Sequence, residues 1–138
     1  MTHAKDLETI DQVFKALADP TRVRILGVLG NGEVCVCHIH ESLRLPQSLV
    51  SRHLAYLRRT GLVETRKEGL WVYYRLAARR DDVTQTLLEA VYHCIGHLAA
   101  VVTDAKRLEK RTGCCAVAQP APSFDCCRPV LRGLDGSL

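Results

Sequence analysis

At 138 residues the chain has room for one domain and an appendage, and with 47% hydrophobic residues it can bury a core. Its formal charge of +4 is unevenly spread, since residues 44–75 hold seven Lys or Arg against two Glu. Basic residues concentrated around one segment are an electrostatic footprint for nucleic acid. No stretch is long and apolar enough to span a membrane, and no apolar run follows the opening Met-Thr-His-Ala-Lys-Asp. A cytoplasmic location is therefore expected, with no membrane partner. The seven Cys should be reduced there, and an odd count argues against a full set of structural disulfides.

Leu7, Ile10, Val13, Phe14 and Leu17 recur at helical spacing and predict a first amphipathic helix. Asp19-Pro20 starts a second, with Asp19 as its cap and Pro20 at its first position. There Val23, Leu26 and Leu29 should face inward and Arg22 and Arg24 outward, until Gly30-Asn31-Gly32 stops the helix. A third, short helix is expected from about Val34 to Leu43, followed by a tight connection at Arg44-Leu45.

The stretch from Leu45 to Gly61 is the centre of the reading. Val50, Leu54 and Leu57 form one buried stripe. Gln47, Ser48, Ser51, Arg52, His53 and Arg59 supply donors, acceptors and cations suited to base edges and phosphates in a major groove. Two short helices around a brief turn make a helix-turn-helix whose second helix reads the groove. Leu62 to Lys67 and Trp71 to Leu76 then carry β-branched and aromatic residues around Glu68-Gly69, a β-hairpin signal. Arg66 and Lys67 near its tip would lie along phosphates, and the aromatics should pack within the hairpin. The fold expected is mainly α with a β-hairpin: a winged helix-turn-helix, homodimeric through its terminal helices.

One long helix is expected from Asp82 to about Leu108. Its apolar surface, from Leu87, Val91, Ile95, Leu98 and Val102 outward, is too broad for one small domain to cover, which predicts a second copy. Cys94 should lie in the core. His93 and His97 at i, i+4 would share one face and could hold zinc. Gly113 should end this helix. Residues 5–105 would form the DNA-binding and dimerisation domain, and 114–138 a Cys- and Pro-containing flexible tail.

Cys35 and Cys37 open the third helix. Two residues apart on a regular helix, they would point about 200° away from each other. Joint binding of one ion would then require the helix start to distort. Thiolates select soft, thiophilic ions, and His38 or His40 could add a nitrogen ligand. The adjacent pairs Cys114-Cys115 and Cys126-Cys127 could form a second, four-sulfur site.

These motifs resemble the ArsR/SmtB family of metal-responsive repressors, and within it the arsenical-resistance repressors. The matching residues are Ala16 to Leu26, Glu33-Val-Cys-Val-Cys37, Gln47 to Leu54, Gly61-Leu-Val63 and Trp71 to Leu76. The resemblance implies a homodimer that binds double-stranded operator DNA without effector. It would leave the DNA on binding As(III) or Sb(III), with Cys35 and Cys37 as ligands. The family's arsenic motif has a third Cys three residues after the second, where this chain has His40. Either a tail Cys supplies the third sulfur, or the site takes a two-sulfur ligand such as a monosubstituted arsenical. A zinc- or other divalent-metal-responsive repressor is the runner-up, and a thiol-redox-responsive regulator a further alternative. An enzyme such as a thiol reductase is disfavoured, because no Cys-X-X-Cys precedes a helix in a βαβ pattern.

Overall fold

The computed structural model describes residues 2–78 and 80–115. In chain order the elements are α1 (Thr2–Leu17), α2 (Pro20–Leu29), β1 (Val34–Cys35), α3 (Val36–Leu43), α4 (Gln47–Arg59), β2 (Val63–Glu68), β3 (Trp71–Leu76), α5 (Asp82–Ile95) and α6 (Ala99–Cys115). The strands form one antiparallel sheet in the order β1-β3-β2. The core gathers Ile25, Leu26, Leu29, Ile39, Leu43, Val50, Leu54, Leu57 and Leu62, all but lost to solvent, where α2, α3 and α4 meet under the hairpin.

The start of α2 follows from its sequence. Asp19 has extended backbone, and its carboxylate accepts the N–H groups of Thr21 and Arg22, two donors that a helix start leaves without partners. Arg22 and Arg24, expected to point outward, are instead tied down. Arg22 donates to the carbonyls of Ala16 and Lys15 at the end of α1 and lies over the Tyr56 ring at 4.1 Å. Arg24 donates to Leu43 O and to both oxygens of Asp104. Helical spacing shows that a residue points away from the core, but not that another helix lies there.

The expected third helix begins two residues late. Val34 and Cys35 pair with Tyr74 and Tyr73 as a short outer strand, and the helix starts at Val36. A two-residue strand has no period to read, and its partner lies some forty residues away.

The expected long terminal helix is broken. Two helices, α5 and α6, meet at 91° across Gly96, His97 and Leu98. The bend lets α5 pack on α1 while α6 crosses α2 and α3. Gly27 permits that crossing, because a Cβ there would come within 2.9 Å of Val101. Cys94, expected in the core, is exposed on α5. Gly113, expected to end the last helix, lies inside α6. No single helix is long and apolar enough to cross a membrane among the described residues.

Candidate nucleic-acid interface and thiol site

The turn before α4 is built by Arg44, whose backbone is left-handed (φ 56°, ψ 45°). This closes α3 with hydrogen bonds from Arg44 N–H to Glu41 O and from Leu45 N–H to His40 O. Pro46 then caps α4, and Gly61, at φ +82°, ends the turn that follows it. Val50, Leu54 and Leu57 are fully buried. Ser48, Arg52, Ala55 and Arg59 are exposed at i, i+4, i+7 and i+11, which makes one helix face, flanked by half-buried Gln47 and Ser51. Five of the six α4 residues expected at a DNA interface therefore lie on or beside this face.

His53 does not. Its ring turns toward α2, with Nδ1 3.4 Å from Arg22 Nη1 and Nε2 4.0 Å from Asp19. Arg22 is a donor only, so Nδ1 is the acceptor and the ring proton sits on Nε2, facing Asp19. His53 thus braces α4 against the start of α2.

The hairpin formed by β2 and β3 pairs Val63 with Leu76 through Glu68 with Trp71. Arg66 was expected to meet phosphate. It is engaged by Glu33 at 2.7 Å and Glu68 at 2.7 Å, and it lies over the Tyr73 ring at 4.6 Å. Those two carboxylates hold its guanidinium even more firmly protonated than usual. Arg75 is likewise paired with Glu64. Lys67 is exposed and forms no ion pair among the described residues. At the tip, Leu70 is 64% exposed, an apolar contact point that the charge pattern did not reveal.

Cys35 and Cys37 come together. Cys35 has extended backbone (φ −72°, ψ 145°) at the cap of α3, so the two side chains do not diverge as they would on a continuous helix. The expected obstacle to their acting on one ion disappears. The Cys37 thiol donates a hydrogen bond to Cys35 and lowers its pKa against the opposing effect of burial, helped by the N–H groups of His38 and Cys37. The same contact, with burial, raises Cys37. A thiolate at a helix start is favoured by the amide dipoles there. Both residues are buried with Tyr73, and Trp71 packs against them. Residue alternation in the hairpin puts Trp71 and Tyr73 on one face, and the pairing of Cys35 with Tyr73 brings the thiols to it.

The other expected ligands are not gathered here. His40 Nδ1 faces Leu45 O at 3.3 Å. His93 is exposed on α5, whereas His97 lies in the break beyond it, so they do not form an i, i+4 pair on one helix. Among the described residues no group of three or more His, Cys, Asp or Glu is placed to share a metal ion. Cys114 and Cys115 fall in the last turn of α6, and Cys126 and Cys127 lie outside the described residues.

A helix-turn-helix with a basic exposed face, followed by a hairpin wing, defines a winged-helix DNA-binding regulator. Residues 19–65 match the family described as "Bacterial regulatory protein, arsR family". The chain is 42% identical over 90 residues to the arsenic resistance transcriptional regulator ArsR1 of Pseudomonas putida, covering 64% of this chain and 70% of that protein. It is also 42% identical over 84 residues to the arsenical resistance operon repressor of Escherichia coli, covering 60% and 72%. Among solved structures, it is similar to the homodimeric winged helix-turn-helix DNA-binding domain of Mb0332 from Mycobacterium bovis, a possible ArsR-family transcriptional regulator. That match has a TM-score of 0.57 and 35% identity, covering 69% of this chain and 86% of that one. The chain belongs to the arsR family of bacterial regulatory proteins, which are DNA-binding transcriptional regulators and not enzymes.

Proposed function

We propose that this protein is a homodimeric repressor that holds operator DNA in its effector-free form and releases it when As(III) or Sb(III) binds Cys35 and Cys37. The observation that carries the reading is the position of the paired thiols. They sit at the junction of β1 and α3, one helix away from the turn that sets α4, and in contact with the hairpin base. A thiophilic ion fits two sulfurs in contact, and chelation replaces the hydrogen bond between them. Any shift of that junction reaches both DNA-contacting elements, α4 through the Arg44 turn and the wing through Tyr73.

On DNA, Ser48, Arg52 and Arg59, with Gln47 and Ser51 beside them, serve α4, and Lys67 serves the wing. Residues 5–105 are assigned the DNA-binding and dimerisation unit. Exposed Leu7 and Phe14 on α1 and Leu98 at the α5–α6 corner offer the apolar surface for a second copy. Residues 114–138 are assigned a Cys- and Pro-containing tail, and the cytoplasm, where operator DNA and reduced thiols coexist, is the site of action.

The test is fluorescence anisotropy on the protein's own upstream DNA, titrated with arsenite under reducing conditions. Wild type should release the DNA, and Cys35→Ser/Cys37→Ser should hold it. Equal release by both would move the sensing role to the tail thiols and away from this pair.

A further inference from the structure

We propose that the protein has a second ligand site, a cavity at the base of the wing that takes a small organic carboxylate, its acidic head held by Arg80 and its apolar body by Leu29 and Leu76. None of the residues lining this cavity belongs to the thiol pair, so the inference stands apart from the reading of Cys35 and Cys37 as the sensor.

Arg80 lies in the connection from β3 to α5, half-buried in the wall of a cavity of about 560 Å³. Pockets that hold small molecules run from about 300 to 1,000 Å³. Leu29 of α2 and Leu76 of β3 supply apolar lining, and three guanidinium groups, from Arg66, Arg75 and Arg80, face one carboxylate, Glu33. Arg75 and Leu76 stand at the end of the hairpin away from its Glu68–Trp71 tip, and no α4 residue lines the cavity. A DNA phosphate is therefore not its occupant.

The three cations differ in what they already hold. Arg66 grips Glu33 by two nitrogens, Nη2 to Oε1 at 2.7 Å and Nε to Oε2 at 3.1 Å, and binds Glu68 by its third. Arg75 is paired with Glu64 at 2.7 Å. Arg80 donates to Gln85 Oε1 at 2.6 Å and to Ala77 O, both neutral, and it forms no ion pair among the described residues. A guanidinium keeps its charge in such a setting. One positive charge in the cavity wall is thus held in position without a counter-charge.

Charge and shape then set the ligand class. A carboxylate brings the single negative charge that Arg80 lacks, and the planar guanidinium fits it with paired hydrogen bonds. A dianionic head, such as a phosphate monoester, carries a second charge toward Glu33 and is repelled. The leucines favour an apolar body over a bare ion, because burying apolar surface adds affinity that an inorganic anion cannot gain.

The experiment titrates the reduced full chain with 1-naphthoate, 1-naphthyl phosphate and neutral 1-naphthalenemethanol. It follows the arginine Nε–H signals by ¹⁵N NMR, the Arg80 signal being assigned by its loss in Arg80→Gln. The expected result is a saturable shift of the Arg80 signal with naphthoate, at one site per chain. Naphthyl phosphate should bind about threefold or more weaker, and the neutral alcohol should give no saturation. Arg80→Gln, checked for folding by circular dichroism, should weaken naphthoate by about tenfold or more, the value of a hydrogen-bonded charge. Glu33→Gln leaves Arg80 in place and should bring naphthyl phosphate level with naphthoate, a gain that loss of folding cannot produce. Absence of saturation with naphthoate overturns the site, as does equal binding of the neutral alcohol or an affinity that Arg80→Gln leaves unchanged. Naphthyl phosphate binding as tightly as naphthoate to the wild type overturns the carboxylate assignment.

Discussion

Arg24 on α2 and Asp104 on α6 are joined by two hydrogen bonds of 2.8 Å each, Nε to Oδ2 and Nη2 to Oδ1. Asp104 is 1% exposed, and Arg24 uses the same Nη2 to hold Leu43 O at the end of α3. Arg107 adds a contact to Ser42 O and approaches Asp104 at 3.6 Å. One buried carboxylate therefore ties the last helix to the segment just before the helix-turn-helix turn.

Replacing that carboxylate leaves two guanidinium groups facing an uncharged partner. Asp104→Asn should lower stability by about 2–3 kcal/mol, under the range for a fully buried pair because Arg24 is a quarter exposed. Urea unfolding at fixed protein concentration checks it, and a loss under 0.5 kcal/mol would show the joint to be incidental.

The Arg44 turn offers a substitution in the opposite direction. A non-glycine residue at φ 56° carries a backbone cost that glycine does not. Arg44→Gly should be neutral to stabilising by up to about 1 kcal/mol, the gain being trimmed by the freedom glycine adds to the unfolded chain. Thermal unfolding that shows a loss above 1 kcal/mol would mean that the Arg44 side chain itself holds the turn.

The wing cations differ in availability, and DNA binding should report it. Lys67→Ala should reduce the slope of log affinity against log salt by about 0.9 per protomer, or about 1.8 for the dimer, the value of one phosphate contact in each half. Arg52→Ala on α4 should do the same. Arg66→Ala should change the slope little, since Glu33 and Glu68 already balance that charge. If Arg66→Ala lowers the slope as much as Lys67→Ala, the carboxylates let go of it on DNA.

Tyr92 fastens α5 to α2 by donating its hydroxyl to Leu26 O at 2.5 Å, a carbonyl near the end of α2. Tyr92→Phe should cost about 1 kcal/mol at neutral pH. Burial pushes the Tyr92 pKa well above the ordinary value of 10, despite the pull of Arg80. The folded state thus holds this proton more tightly than the unfolded state. Its contribution is full below pH 10 and is lost as pH rises toward the folded pKa. Stability of wild type should fall above pH 10, and Tyr92→Phe should flatten part of that fall. Tyr73 and Tyr74, raised by burial too, keep the remainder. Identical alkaline curves for the two proteins would remove Tyr92 from this role.

Much of the α4 face was legible because it is a local property. Val50, Leu54 and Leu57 mark the buried stripe, and Ser48, Arg52 and Arg59 follow by rotation about the helix axis. The hairpin was legible for the same reason, from β-branched and aromatic residues around Glu68-Gly69. His53 and Arg66 each have the right chemistry on the right element, but spacing does not reveal that each is engaged by residues far off in sequence, Arg22 and Asp19 in one case and Glu33 in the other. The two thiols are legible in the sequence, but helical spacing misplaces them, because α3 begins at Val36 and leaves Cys35 outside it as the cap.

Residue periodicity and turn chemistry alone therefore determined the order of helices and wing, the buried stripe of α4, and the presence of two closely spaced thiols. These depend on neighbours within a turn or two. Tertiary structure alone decided that Cys35 caps its helix instead of joining it, that the last helix folds over at Gly96, and that Asp104 finds Arg24. Each of those outcomes is set by a partner some forty to eighty residues away, where packing and burial outweigh local preference and leave no periodic trace in the chain.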